Sequence, residues 1–196
     1  MISALGVMST RSPIGEGRSD TSTSSTTTPT VSAAPKIEKA IFSGGCFWGM
    51  EYFFQHAKGV VSTEVGYTGG HTKNPTYREV CSHTTGHIEA LSVTYDANIT
   101  SYEELSRLFF EIHDPTQANG QGPDIGEQYL SVVFYADEAQ KKTTEKLIGL
   151  LKARGYAVVT QLRPATTFWK AEEYHQKYYE KENGTPYCHR PVKRFG

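Results

Sequence analysis

The sequence predicts an α+β domain, a mixed β-sheet with helices packed on it, preceded by a disordered tail. Three observations carry this expectation. From residue 36 onward, runs with strand alternation interleave with runs at helical spacing; some strand pairs follow one another directly; and there is no internal repeat. The length of 196 residues agrees with one ordinary domain and a little left over.

Each element has a local reason. Ile37–Ser43 is a short apolar run that stops at Gly44-Gly45, as a strand ending in a turn does. Cys46–Gln55 places Phe47, Met50, Glu51 and Phe54 at helical spacing. Val60–Tyr67 reads as a strand closed by Gly69-Gly70, and a polar loop runs through Asn74-Pro75. His87–Tyr95 alternates and is a strand. Thr100-Ser-Tyr-Glu103 has the form of a capping box and opens a helix to about Ile112, halted by Asp114-Pro115. A glycine-rich loop, Gln117 to Gly126, precedes the apolar strand Tyr129–Ala136. Asp137, with Gln140 three residues on, caps a helix to Arg154 that Gly155 ends. Tyr156–Leu162 is expected as a strand, and Ala171–Lys181 as an aromatic-rich helix ended by Asn183-Gly184.

The first 35 residues stand apart. Between Ser19 and Ser32, 11 of 14 residues are Ser or Thr, and no aromatic precedes Phe42. Such a stretch buries too little apolar surface to offset its ordering entropy, so 1–35 is expected to be a disordered tail and 36–196 the folded domain. Met1–Met8 lacks the basic segment of a secretory signal, and Glu16 and Asp20 count against a transit peptide despite Arg11 and Arg18. The cytoplasm is the expected compartment, with organelle import through the tail as the alternative.

Charge narrows the partners. With 20 Lys+Arg against 21 Asp+Glu, the net charge of −1 argues against nucleic acid as the main partner. No window approaches the roughly 18 apolar residues of a membrane span. The three cysteines, Cys46, Cys81 and Cys188, are too few for a disulfide scaffold, and an odd count leaves at least one thiol unpaired.

The chemistry concentrates at Gly44-Gly-Cys-Phe-Trp-Gly49. A thiol at a strand-to-helix turn lies near unsatisfied amides and the positive end of a helix dipole, so its thiolate is expected to be favoured. The flanking glycines are expected to admit another molecule, and Phe47 with Trp48 to wall a pocket for a small apolar group. Glu89 shares a strand face with Leu91, Val93 and Tyr95. It sits either in a desolvated cleft, where it would stay protonated, or at a sheet edge open to water. The clusters Cys81/His83/His87 and Glu111/His113/Asp114 lack the paired spacing of zinc sites, so no metal is expected. Gly120–Gly126 does not match a phosphate cradle, and Tyr174, Tyr178 and Tyr179 read as a packing face.

Six ordered segments resemble the A-type peptide methionine sulfoxide reductases. They are Gly45-Cys-Phe-Trp-Gly49, Gly66-Tyr-Thr-Gly-Gly70, Asn74-Pro-Thr-Tyr-Arg-Glu-Val-Cys81, Thr85-Gly-His-Ile-Glu89, His113-Asp-Pro-Thr-Gln117 and Gln121-Gly-Pro-Asp-Ile-Gly-Glu-Gln-Tyr129. The resemblance covers about residues 36–190. It implies a ferredoxin-like α/β sandwich that acts as a monomer on methionine-S-sulfoxide, free and in oxidised proteins, without a cofactor. By resemblance, Cys46 attacks the sulfoxide sulfur, Glu89 protonates its oxygen, and Tyr77 and Tyr129 donate hydrogen bonds to it. Phe47 and Trp48 would enclose the substrate methyl, and Asp124 would position the substrate. Methionine leaves, Cys46 becomes a sulfenic acid, and Cys188 closes a disulfide that thioredoxin reduces. There are two departures: Leu130 stands where the family usually has Arg, and one late cysteine stands where some members have two.

Two other classes compete. A cysteine hydrolase would pair Cys46 with His87, His113 or His175 as base and would release product from an ester or amide. A non-enzymatic partner-binding domain would use the Ser/Thr tail as a phosphorylated peptide and show ordinary Cys46 reactivity.

Overall fold

A computed structural model describes residues 34–196. Apart from Ala34 and Pro35, the expected disordered tail 1–35 lies outside the described residues. Strand β1 (Ile37–Gly44) turns at Gly45 into helix α1 (Phe47–Phe54), and β2 (Val60–Thr68) follows. Next come α2 (Tyr77–Cys81), β3 (Ile88–Asp96) and α3 (Tyr102–Ile112). Strands β4 (Gly120–Gln121) and β5 (Asp124–Ile125) pair as a hairpin, and a 3₁₀ turn (Glu127–Tyr129) leads into β6 (Ser131–Tyr135). Helix α4 (Glu138–Ala153), β7 (Gln161–Pro164), β8 (Trp169–Lys170) and α5 (Tyr178–Lys181) close the chain.

The main sheet has the order β7-β6-β1-β3-β2-β8 and is antiparallel except for the β6–β7 pair. Its inner four strands, β6-β1-β3-β2, with α1 and α3 as connections, form the β-α-β-β-α-β arrangement of ferredoxin-like folds. The alternation in β3 places Glu89, Leu91, Val93 and Tyr95 on one face, and that face carries the main core. Phe42 of β1 stacks there on Phe54 of α1 at 5.3 Å and on Phe109 of α3 at 5.1 Å. Burying each such ring contributes about 1.5–3 kcal/mol relative to leaving it exposed.

Five local expectations are corrected. The cap of α3 is Ser101, whose hydroxyl accepts from the Glu104 amide, one residue later than expected. Thr100 is taken up by the preceding turn against Gly59, and Glu103 pairs instead with Arg107 and Lys146. The strand expected at Tyr156–Leu162 forms only at Gln161–Pro164, alongside β6. Tyr129 belongs to the 3₁₀ turn rather than to β6.

The expected helix Ala171–Lys181 is helical only from Tyr178. The Gln176 carboxamide occupies the edge of β2, accepting from the Val65 amide and donating to the Val65 carbonyl, both at 2.9 Å. Lys177 then takes a left-handed φ of 52°. Tertiary pairing of the β2 edge therefore overrides the helical propensity of 171–177. Helix α2 occupies what reads as polar loop. Its capping box, Thr76 with Glu79, was present in the sequence as a signal.

Candidate active site

The end of β1 and the start of α1 set the position of Cys46, which is 7% exposed. The Trp48 and Gly49 amides favour its anion, the effect expected at a helix start. They do not prevail. The neighbouring Cys188 thiol above all, and burial with it, hold the Cys46 thiol well above its ordinary value. The expected thiolate-favouring site is thus corrected: in the reduced protein, Cys46 rests as a thiol.

Glu89 sits on β3, between β1 and β2, and is 1% exposed, which overturns the sheet-edge alternative. Its Oε2 accepts the Phe47 amide at 3.1 Å, fixing the carboxyl beside the first turn of α1. Burial is the main reason that its pKa stands well above the usual carboxylate range; the nearby Cys46 charge adds to this, and the Phe47 amide opposes it. A carboxyl that stays protonated near neutrality can donate a proton.

Two tyrosines face that carboxyl. Burial, then the Glu89 charge, raises both the Tyr77 and the Tyr129 phenols, keeping them as donors. Tyr77 opens α2, where its backbone amide donates to Glu172 Oε1 at 2.9 Å. Glu172 also accepts the Tyr67 hydroxyl at 2.8 Å, so one carboxylate ties β2 to the start of α2. Phe47 is buried, with its ring 5.1 Å from His175. Trp48 is half-buried, stacks on Tyr178 at 3.7 Å, and donates from Nε1 to His175 Nδ1 at 3.1 Å. The tyrosine set of the last segment thus contributes Tyr178 to this aromatic wall.

Asp124, at the β4–β5 hairpin, accepts the Tyr187 hydroxyl at 3.0 Å, while its Oδ2 is buried with no partner. One Asp124 carboxylate oxygen, Cys46 Sγ and Cys188 Sγ lie within 4.8 Å of one another. The two sulfurs lie side by side as free thiols, and Cys188 also contacts His189, so the trio has the contacts of a thiol pair beside a carboxyl.

The C-terminal segment differs from its sequence reading. Cys188 lies past the last helix, yet it is 5% exposed and held in place. Val192 donates to Glu111 O at 2.7 Å, and Arg194 Nη1 donates to Phe110 O at 2.8 Å, tying the segment to the end of α3. The glycines also serve a different purpose. A Cβ on Gly45 would lie 2.4 Å from Gln121 Cβ, and one on Gly49 would lie 2.2 Å from His189 Nδ1. The chain's own side chains fill the space expected for another molecule. Gly49→Ala should therefore destabilise the fold by about 1–3 kcal/mol, the range for overpacking, read as a lower midpoint in denaturant unfolding.

The hydrolase alternative finds no base. The His87 ring bonds to the Gly70 amide and Thr72 O, His113 to Phe109 O and Ser131, and His175 to Trp48. Sequence reasoning missed His189, Glu172 and Gln121 because their roles depend on contacts more than 60 residues away in the chain, such as His189 Nε2 with Gly44 O, a separation of 145.

A buried thiol paired with a second thiol beside a protonated carboxyl, on this fold, defines a thiol-based oxidoreductase. Residues 38–195 match the family model described as peptide methionine sulfoxide reductase. The peptide methionine sulfoxide reductase MsrA of Saccharolobus solfataricus is 48% identical over 153 residues, covering 78% of this chain and 86% of the relative. The reduced form of Mxr1 from Saccharomyces cerevisiae superposes with a TM-score of 0.74 at 33% identity, covering 80% of this chain and 92% of that one. Mxr1 in complex with Trx2 shares the fold, with a TM-score of 0.54 at 24% identity over 83% of this chain and 96% of that one. The chain belongs to the peptide methionine sulfoxide reductase family, in its A-type branch.

Proposed function

We propose that this chain reduces methionine-S-sulfoxide, free and within oxidised proteins, to methionine through a Cys46 sulfenic acid and a Cys46–Cys188 disulfide. The observation that carries the proposal is the approach of Cys46 Sγ and Cys188 Sγ, within 4.8 Å, under the buried Glu89 carboxyl.

Sulfoxide sulfur becomes electrophilic once its oxygen is protonated or strongly hydrogen-bonded. Glu89 supplies the proton, and the Tyr77 and Tyr129 phenols hold the oxygen. As that oxygen takes the Glu89 proton, the resulting carboxylate stands ready to take the proton of Cys46, whose sulfur attacks from the opposite side. Phe47 and Trp48 enclose the methyl group, and Asp124 orients the substrate. Methionine departs and the oxygen stays on Cys46 as the first rung of thiol oxidation. Cys188 displaces that oxygen as water. Thioredoxin, the kind of partner found with yeast Mxr1, then reduces the disulfide. The three free thiols accord with a reducing, cytoplasmic setting.

The test supplies peptides carrying each separate sulfoxide epimer, with dithiothreitol and then with thioredoxin, and measures methionine. Only the S epimer should react. Without external reductant, one equivalent of sulfoxide should yield one methionine and a Cys46–Cys188 linkage by peptide mapping. Cys188→Ser should still form methionine once but lose thioredoxin-driven turnover. Undiminished turnover, or a Cys46–Cys81 linkage, would refute the assignment.

A further inference from the structure

The Cys188 sulfur has a second neighbour that the reaction above leaves unused. His189 Nδ1 lies 3.1 Å from Cys188 Sγ, while His189 Nε2 lies 2.8 Å from the carbonyl oxygen of Gly44. A carbonyl can only accept, so Nε2 carries the ring proton. The opposite nitrogen, Nδ1, then presents a lone pair to the Cys188 S–H. The ring is buried, and the absence of a side chain at Gly49 makes room for it: a Cβ there would lie 2.2 Å from Nδ1 and 2.8 Å from Cε1. Three separate parts of the chain therefore set one tautomer and one orientation. They are the Gly44 carbonyl at the end of β1, Gly49 in α1, and the backbone next to Cys188. Burial also holds the imidazole down at about 4, so it is neutral, with that lone pair free, at ordinary pH.

The geometry points to His189 as the general base of the resolving step, taking the proton from the Cys188 thiol as that sulfur attacks oxidised Cys46. This assignment rests on the proposed function, since it deepens the second half of that cycle. The balance is closed. Cys46–S–OH and Cys188–SH give the Cys46–Cys188 disulfide and water. The S–O bond of Cys46 breaks as the S–S bond forms. The Cys46 sulfur is reduced by one step and the Cys188 sulfur is oxidised by one. The proton lost by Cys188 passes to Nδ1 and then to the departing hydroxide, leaving His189 neutral. While it carries the proton, the imidazolium keeps its Nε2–H bonded to Gly44 O.

This step needs a base, because only a thiolate attacks sulfur efficiently, and Cys188, being buried, has no bulk water at hand to take its proton. A base touching the sulfur produces the thiolate at the moment of attack, with no standing negative charge beside Cys46. Sequence order alone gives no hint of it, since adjacent residues in extended chain usually point apart.

The decisive experiment mixes the full-length reduced protein with one equivalent of an S-sulfoxide peptide and no reductant, then quenches with acid and an alkylating agent. Each sample yields two rates, methionine released and Cys46–Cys188 disulfide formed. Two variants are compared with wild type: His189→Gln, which keeps a donor for Gly44 O, and His189→Phe, which keeps a ring in the slot. In both, disulfide closure should slow by about 10²-fold more than methionine release, the lower end of general base catalysis. Closure within two-fold of wild type, relative to methionine release, would overturn the assignment. So would parallel loss of both steps in both variants, which would leave His189 a packing role only. Failure of the underlying proposal is read in wild type alone, as methionine release without a Cys46–Cys188 disulfide.

Discussion

Cys46→Ser should form no methionine above background in a single turnover, whereas Cys81→Ser should keep most of the wild-type yield. The hydroxyl has nearly the shape of the thiol and can sit at the same helix start, so the fold should tolerate it. What it lacks is sulfur nucleophilicity and a stable oxidised product. Cys81 lies at the end of α2, beside Tyr77, and is not one of the Cys46, Asp124 and Cys188 group. The measurement is chromatographic quantification of methionine after one equivalent of sulfoxide peptide. An active Cys46→Ser protein would remove the nucleophile from the mechanism.

Glu89→Ala should lose about 10²–10⁴-fold in the rate of methionine formation, the scale of a positioned proton donor. Glu89→Gln loses less, because its amide still donates a hydrogen bond to the sulfoxide oxygen. Wild-type activity should fall as pH rises through the raised Glu89 value, with no corresponding fall in Glu89→Gln. The same shift acts on stability. The folded protein holds a Glu89 proton that the unfolded chain releases above its ordinary value of about 4.3. The stability this group contributes is present below that value and is lost as pH rises toward the folded one. Glu89→Gln should therefore gain stability relative to wild type across that window in denaturant titrations at stepped pH. Equal rates for wild type and Glu89→Ala would exclude the carboxyl from the chemistry.

Both predictions rest on residues visible in the sequence, whereas the strengths of their neighbours are tertiary. The helix start at Phe47 was legible, and with it the amides that favour a Cys46 anion. The opposing effects of burial and Cys188, which prevail, were not. Legibility failed in the same way at 171–177, where helical spacing yielded to the Gln176 carboxamide on the β2 edge. The α2 helix was missed for a different reason: its capping box was present, but five residues are too short a run for periodicity to register.

What the sequence determined by itself was everything written in local periodicity and turn chemistry: the α+β class, most strands and helices, the Asp137 cap, and a thiol at a helix start. Six ordered motifs also specified the family, because their residue types recur at set positions whatever the packing between them. Tertiary structure alone decided whether Glu89 was at an edge or buried, whether Cys188 was mobile or anchored, and what filled the space over Gly45 and Gly49. Each of those depends on atoms brought together across the sheet, as Phe47 is to Glu89 and His189 to Gly44. Desolvation and hydrogen bonding act through space, and their strength is set by neighbours that sequence distance does not reveal.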